Sequence, residues 1–132
     1  MPTSGYSVLG VIDRAYRGAV ETQFFDAMYG FLDFLPQLES VSIALRGAAV
    51  TLAVDEDSYR PAVAFGPVRV KTLPDYRNTV RQLLAEGVPI LVDEPDLRAL
   101  GFEAKDLVPG VECLDTNELA CRWDEFDGVW FV

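Results

Sequence analysis

The sequence predicts one α/β domain covering residues 1–132, in which a five-stranded, mainly parallel sheet has helices on both faces, a three-layer α/β/α arrangement. The chain has 132 residues, the usual length of a single domain. Short apolar runs alternate along it with segments of helical periodicity. The runs lack a polar residue at every second position, which is typical of strands buried on both faces of a parallel sheet. These three observations together favour the α/β class.

The predicted elements follow one another with short connections. Five apolar runs are predicted strands: Ser7–Ile12, Val41–Leu45, Val88–Val92, Val111–Leu114 and Gly128–Val132. Helices are predicted at 19–35, 47–54, 76–86, from Pro95 to Leu100, and from Asp115 or Thr116 to Phe126, with Glu118 near the capping-box position. Residues 55–66 are polar and interrupted by proline and glycine, so we predict a surface loop there.

The predicted helix at 19–35 is rich in aromatic residues on more than one side. Val20, Phe24, Phe31 and Phe34 share one face, and further apolar residues widen the arc to roughly 220°. A helix that packs on one side of a sheet needs only about half of that arc. The excess predicts a homo-oligomer in which another subunit covers this helix.

The overall charge restricts the class of partner. The chain carries 21 acidic and 11 basic residues, a net charge of −10, and no local cluster of lysine and arginine. A surface of this kind repels phosphate backbones, so we predict no binding to nucleic acid. The apolar runs are too short to span a membrane, and the first residues lack the features of a signal peptide. We therefore predict a cytoplasmic protein that does not associate with membranes.

Several kinds of site are missing from the sequence. Histidine is absent, which excludes Ser-His and Cys-His nucleophile pairs as well as histidine-based metal sites. The two cysteines, Cys113 and Cys121, form no C-x-x-C motif. Neither G-x-G-x-x-G after the first strand nor G-K-[ST] occurs. The sequence thus predicts no metal and no cofactor.

Ligands of open α/β sheets bind beyond the carboxyl ends of the strands, so candidate residues are expected there. The predicted loops at that edge contribute polar side chains from four strand ends: Asp13, Arg14 and Tyr16; Arg46; Asp93, Glu94 and Asp96; Asp115 and Asn117. For the acids, the alternative to ligand binding is an ordinary structural role, because carboxylates at helix starts stabilise the helix. Arg14, Arg17 and Arg46 could instead line an anion-binding pocket, or could form ion pairs with nearby acids.

The two thiols are weak candidates for catalysis. Cys113 lies near the end of the fourth predicted strand, close to the same edge, where a buried and inert thiol is the ordinary expectation. Cys121 falls on the side of its helix that carries Asn117, Asp124 and Glu125. Negative surroundings of this kind disfavour a reactive thiolate.

Three stretches of the chain carry a resemblance to a known family. They are Val41–Val50; Leu83–Val92 followed by Leu97–Gly101; and Leu107–Val111 followed by Asn117–Ala120 and Asp127–Phe131. In this order they resemble the second strand with its short helix, the helix–glycine–strand unit and the ending of the DsrE/DsrF/TusD (DsrEFH-like) proteins. The resemblance covers nearly the whole chain, although no single motif is decisive. It implies the DsrEFH-like fold, of the flavodoxin-like topology class, assembled as homotrimers or hexamers.

The same resemblance implies a function in sulfur relay. In this family a cysteine, usually in the loop after the third strand, carries a persulfide and passes sulfur to a protein partner. The corresponding stretch here is Asp93-Glu94-Pro95-Asp96, and a carboxylate cannot replace a thiolate nucleophile. We therefore expect an accessory, non-catalytic DsrE-like protein. Two alternatives stay open: an active persulfide carrier that uses Cys113 or Cys121, and a small-anion or metabolite-binding module.

Overall fold

A computed structural model describes residues 5–14, 37–55, 63–70 and 76–132. In these ranges the strands, in chain order, are β1 (Ser7–Ile12), β2 (Ser40–Leu45), β3 (Val63–Phe65), β4 (Val68–Val70), β5 (Ile90–Asp93), β6 (Glu112–Leu114) and β7 (Gly128–Phe131). The α-helices are α1 (Tyr76–Ala85), α2 (Glu94–Ala99) and α3 (Thr116–Cys121). 3-10 helices cover Gly47–Ala53, Ala104–Asp106 and Trp123–Glu125. The predicted aromatic helix at 19–35 and Tyr16 lie outside the described residues.

Five of these strands form one sheet in the order β6-β5-β2-β1-β7, and every neighbouring pair is parallel. The prediction of a five-stranded parallel α/β sheet is therefore confirmed. The chain winds in one direction from β1 through β2 and β5 to β6, and then returns to the other side of β1 with β7. Counted along the chain without β3 and β4, this order is 4-3-2-1-5, whereas flavodoxin itself has 2-1-3-4-5.

Both faces of the sheet are covered, because successive residues of a strand point to opposite sides. On one face, the strand residues Ile43, Leu45 and Ile90 form a core with residues of the Gly47–Ala53 helix, α1 and α2. On the other face, a smaller cluster consists of Leu9, Val11, Ala44, Leu91, Leu114 and Leu119, against which Trp123, Phe126 and Val129 pack. All strand residues from Val8 to Val11 that carry apolar side chains are fully buried, which explains the unbroken apolar runs in the sequence.

A polar contact joins the starts of β1 and β7. One carboxylate oxygen of Asp127, Oδ2, accepts hydrogen bonds from the backbone N of Ser7 (2.9 Å) and from its Oγ (3.1 Å). The backbone N of Asp127 in turn donates to Oγ of Ser7 at 3.1 Å. The two residues are 120 positions apart, so this contact fixes the last described strand onto the first.

Two predicted elements differ from the structure. Part of the predicted loop at 55–66 is a strand: Val63–Phe65 pairs antiparallel with Val68–Val70 and forms a separate two-stranded hairpin. The sequence pattern missed it because each strand has only three residues, too few to show a period. The predicted last helix is also shorter, since α3 ends at Cys121 and a 3-10 turn covers Trp123–Glu125.

Within the described ranges, no helix is both long and apolar enough to cross a membrane.

Candidate functional site

Arg46 and Asp13 meet at the carboxyl edge of the sheet, because each directly follows one of two adjacent parallel strands. The guanidinium binds the carboxylate through two hydrogen bonds, Nε to Oδ1 at 2.8 Å and Nη2 to Oδ2 at 3.1 Å. Paired bonds of this kind fix the orientation of both groups. The side chains retain 32% and 48% of their exposure, so the pair lies at the surface of the edge and is not buried within it.

Two aromatic rings flank the guanidinium of Arg46. Its central carbon lies 5.4 Å from the ring centroid of Trp123 and 5.9 Å from that of Phe131. The rings contact each other edge to face, with centroids 5.6 Å apart. Both distances to the guanidinium are within the range of cation–π attraction. Arg46 is therefore held between a carboxylate and two rings, and we name this group of four residues (Asp13, Arg46, Trp123 and Phe131) the arginine cluster.

Asp93 is the last residue of β5 and is the buried acid of the site, with 3% of its surface exposed. Its Oδ2 accepts a hydrogen bond from the backbone N of Asp96 at 3.1 Å, so that Asp93 is the N-cap of α2. Its Oδ1 accepts a hydrogen bond from Oγ1 of Thr116 at 2.7 Å. Both carboxylate oxygens are thus engaged, and Asp93 connects the start of α2 to the start of α3.

Asp96 extends this network to the end of β2. Its Oδ2 accepts a hydrogen bond from the backbone N of Gly47 at 2.7 Å. Gly47 has a φ of +56°, and a Cβ at this residue would lie 3.2 Å from the backbone oxygen of Asp13. Glycine is therefore the residue that suits this turn. Together, Asp93, Asp96, Gly47 and Thr116 form what we call the carboxylate network, which joins three strand ends.

The predicted capping roles are confirmed only in part. Glu94 and Asp96 do lie in the first turn of α2, where Glu94 also forms an ion pair with Arg98 at 3.1 Å. The residue whose side chain caps this helix is Asp93, however. Asp115 precedes α3 as predicted, but its side chain accepts no capping hydrogen bond, so that prediction and the capping box with Glu118 are wrong. The hydroxyl of Thr116, at the first residue of α3, is bound to Asp93 instead.

Of the three arginines predicted to line an anion-binding pocket, the structure describes Arg14 and Arg46, whereas Arg17 lies outside the described residues. Arg14 follows Asp13 and is exposed, but among the described residues only Arg46 binds Asp13. Because the carboxylate of Asp13 neutralises the guanidinium of Arg46, the arginine cluster is a poor receptor for a free anion. Asn117, also predicted at this edge, is exposed. In the described ranges, no group of three or more cysteine and acidic side chains is arranged to hold a metal ion.

The two thiols have different surroundings. Cys113, in β6, is half-buried against the core, and its pKa is raised above the ordinary value by burial first, and then by the carboxylates of Glu94 and Asp93. The guanidinium of Arg98 opposes this shift. Cys121 is exposed, and the adjacent Arg122 lies 3.7 Å from Glu112 and 3.9 Å from Glu125. Arg98 and Arg122, the described cations beside the two thiols, are therefore both paired with carboxylates.

Replacing Glu94 with glutamine is expected to speed the alkylation of Cys113. The substitution removes one negative charge that raises the pKa of this thiol, and it frees Arg98, whose charge lowers that pKa. A larger thiolate fraction reacts faster at a given pH below the pKa, by an expected few-fold. The rate can be measured by iodoacetamide labelling and peptide mass spectrometry between pH 7 and 9. Glu118→Gln, at an exposed residue of α3, is the matched control. An equal rate in both variants would contradict the conclusion that Glu94 raises the pKa of Cys113.

The residues of the site that the sequence did not indicate are Trp123, Phe131, Gly47 and Thr116. Gly47 and Thr116 each come directly after a residue at a predicted strand end, so that their position carried a usable signal. Trp123 and Phe131 carried no such signal in the sequence, because their contact with Arg46 depends on the strand order, which places β7 beside β1.

Comparison with known proteins identifies the fold. No protein-family model and no curated protein sequence matches the chain. The solved structure of the ychN protein from E. coli is similar with a TM-score of 0.71 and 18% identity, covering 96% of this chain and 99% of that one. A protein of unknown function from Methanobacterium thermoautotrophicum, MTH1491, is similar with a TM-score of 0.66 and 20% identity, again covering 96% and 99%. The chain therefore has the same parallel α/β fold as these two proteins over almost its whole length.

Proposed function

We propose that this chain is a DsrE-like protein with an accessory, non-catalytic role in intracellular sulfur relay. Two observations support the family. The stretches from Val41 to Phe131 resemble DsrE/DsrF/TusD proteins in order and spacing. The fold is a five-stranded parallel sheet of the DsrE-like type, which is what that resemblance implies.

The observation that carries the non-catalytic role is the carboxylate network. The resemblance implies a persulfide-bearing cysteine in the loop after the third strand of the central sheet, and this chain has Asp93-Glu94-Pro95-Asp96 there. Two of these acids are engaged in structural hydrogen bonds: Asp93 caps α2 and binds Thr116, and Asp96 binds Gly47. The loop therefore holds strand ends together where an active relative would present a nucleophile.

Neither of the two thiols of this chain, Cys113 and Cys121, is a good substitute for that nucleophile. A persulfide carrier needs an accessible thiolate, which a nearby cation stabilises. The raised pKa of Cys113 and its partial burial both work against this. Cys121 is accessible, and this is the observation that keeps an active carrier as the second candidate function. The third interpretation, an anion-binding module, loses support because Arg46 is already paired with Asp13.

An accessory protein of this kind acts through its contacts with other chains. We propose that it assembles as a homotrimer or hexamer in the cytoplasm and that sulfur-transfer proteins are its partners. The sequence predicts a helix at 19–35, and the apolar arc of that predicted helix supports self-association, since the arc is wider than one sheet face can cover. The net charge of −10 favours basic partner surfaces.

The proposal predicts that the protein takes up no sulfur from a persulfide donor. Intact-protein mass spectrometry after incubation with the donor is expected to show the unmodified mass for the wild type, Cys113→Ser and Cys121→Ser. Glu94→Cys is the positive control, because it places a thiol in the first turn of α2, in the loop where the family resemblance expects one. This variant is expected to gain one sulfur atom.

One sulfur atom gained by the wild type and lost in just one of the two serine variants would establish an active carrier and contradict the accessory role. If Glu94→Cys alone reacts, the fold still supports sulfur loading at this loop and the natural chain lacks the nucleophile. That result would direct attention to partners, which can be sought by testing purified sulfur-transfer proteins for binding by calorimetry.

A further inference from the structure

The arginine cluster holds one guanidinium between three side chains that come from other elements of the fold. The carboxylate of Asp13 accepts two hydrogen bonds from it, and the rings of Trp123 and Phe131 lie beside it. A carboxylate binds a guanidinium through two parallel hydrogen bonds, and aromatic faces attract the same cation. We call Asp13, Trp123 and Phe131 the three walls of the cluster and Arg46 its occupant.

The three walls are held in place by contacts that do not involve the side chain of Arg46. Asp13 directly follows β1, which pairs with a strand on each side. Phe131 is in register with Val11 of β1. Trp123 packs against the smaller core cluster, and its ring contacts that of Phe131. The walls therefore keep their arrangement without the occupant, and a preformed site binds a ligand without the cost of being ordered.

The cluster is open to solvent, and its occupant is weakly held. The side chains of Arg46 and Asp13 keep 32% and 48% of their exposure, and Phe131 is 59% exposed. Water competes for an ion pair in such a place, so the pair contributes little to stability and its partners can separate. Asp93, at the same edge, is buried with both carboxylate oxygens engaged. Of these two acids, Asp13 is the one that an incoming side chain can reach.

We propose that the three walls form a binding site for an arginine side chain of a protein partner, which takes the place of Arg46. The occupant itself demonstrates that a guanidinium fits between the carboxylate and the two rings. Arg14 is an exposed cation next to Asp13 in the chain, and the displaced Arg46 adds a second one nearby. Because like charges repel, the ligand that fits is a single arginine in an otherwise neutral segment. The site is independent of the proposed role in sulfur relay.

Removing the occupant tests whether the three walls bind a guanidinium. Nε1 of Trp123 is buried and has no hydrogen-bond partner among the described residues, so its N–H signal in ¹H–¹⁵N NMR responds to the surroundings of the ring. Titration of Arg46→Ala with methylguanidinium is expected to shift this signal until the site is saturated. The chain has two tryptophans, so Trp123→Phe identifies the signal by its loss.

Two comparisons show whether that binding depends on the walls. Adding Asp13→Asn to Arg46→Ala is expected to weaken the binding of methylguanidinium by about tenfold or more, because the charged acceptor is lost. Methylammonium has the same charge but lacks the planar set of donors, so it is expected to bind more weakly. Arg46→Gln is a second variant without the guanidinium and keeps most of the side-chain length, and circular dichroism verifies that each variant is folded.

The wild type tests whether an arginine from outside can replace Arg46. The probe is a valine–arginine–valine peptide with blocked ends, and its matched controls carry citrulline or lysine in place of arginine. The arginine peptide is expected to shift the Trp123 signal and, at the same time, the Nε–H signal of Arg46, which loses its hydrogen bond to Asp13. Its affinity for the wild type is expected to be about tenfold or more below that for Arg46→Ala, because the occupant competes.

The outcomes separate the site from the exchange. Shifts of both signals with the arginine peptide, and none with the citrulline peptide, would support the proposal. No binding of methylguanidinium to Arg46→Ala and Arg46→Gln, or binding unchanged by Asp13→Asn, would overturn the site itself. Binding to Arg46→Ala with no shift in the wild type would show that Arg46 stays in place and would overturn the exchange. Equal binding of the lysine peptide would mean general attraction to an acidic protein and would overturn recognition of arginine.

Discussion

Replacing Asp93 with alanine is expected to lower the free energy of unfolding by about 2–4 kcal/mol. Asp93 is 3% exposed, and its carboxylate accepts hydrogen bonds from the backbone N of Asp96 and from Oγ1 of Thr116. Alanine removes the N-cap of α2, at a cost of about 1 kcal/mol. It also leaves the two donors without their acceptor in a part-buried place, which adds about 1–3 kcal/mol. Urea unfolding followed by circular dichroism measures the difference.

Two control variants show whether the carboxylate network is the cause. Glu94→Ala removes the neighbouring acid, whose partner is Arg98 on the protein surface, and is expected to cost no more than about 0.5 kcal/mol. Asp93→Asn keeps an oxygen that can cap α2 and should fall between the other two. If Asp93→Ala were no more destabilising than Glu94→Ala, Asp93 would not have the structural role that its contacts indicate.

Replacing Leu91 with alanine is the second change for which we expect a large effect, about 2–5 kcal/mol. Leu91 is 1% exposed in β5 and belongs to the smaller core cluster, with Leu9, Ala44 and Leu119. Truncation loses the buried methyl groups and leaves a cavity that the neighbouring strands fill only in part. The same urea titration measures it, and the slope of the transition should stay unchanged if the fold is kept.

Leu100→Ala is the matched control for this prediction. It removes the same atoms from a leucine that is 47% exposed at the end of α2, so its expected cost is within about 0.5 kcal/mol. Similar losses for the two variants would mean that the neighbours of Leu91 do not pack closely around it.

The fold class could be predicted from sequence because its determinants are local. Each central strand is an apolar run, as in Val8 to Ile12, and each run lies between turn or capping residues. Strand order could not be predicted, since it depends on which apolar runs pair, and β1 could accept several neighbours equally well. The hairpin at Val63–Val70 was missed because three-residue strands show no periodicity.

The sequence predicted where the candidate site lies in the fold better than it predicted the contacts within the site. Knowing that Asp13, Arg46 and Asp93 follow strands was enough to place them at one edge of the sheet. Which acid binds which donor was beyond the sequence, because Asp93 had no signal to distinguish it from Asp96 or Asp115 as a cap. The aromatic neighbours of Arg46 come from a strand that joins the sheet on the far side of β1 and from the turn before it, and only the assembled sheet brings them together.

The contact between Ser7 and Asp127 also affects how the chain is made. β1 needs β7 on one side, and the two residues that join their starts are separated by 120 positions. At a synthesis rate of about 5–20 residues per second, β1 waits roughly 6–24 seconds for that neighbour. Throughout this interval a strand that is apolar from Val8 to Ile12 has an unpaired edge, the kind of surface on which nascent chains associate wrongly. The sheet is therefore completed only after β7 has been synthesised, and chains halted before β7 keep this edge of β1 unpaired.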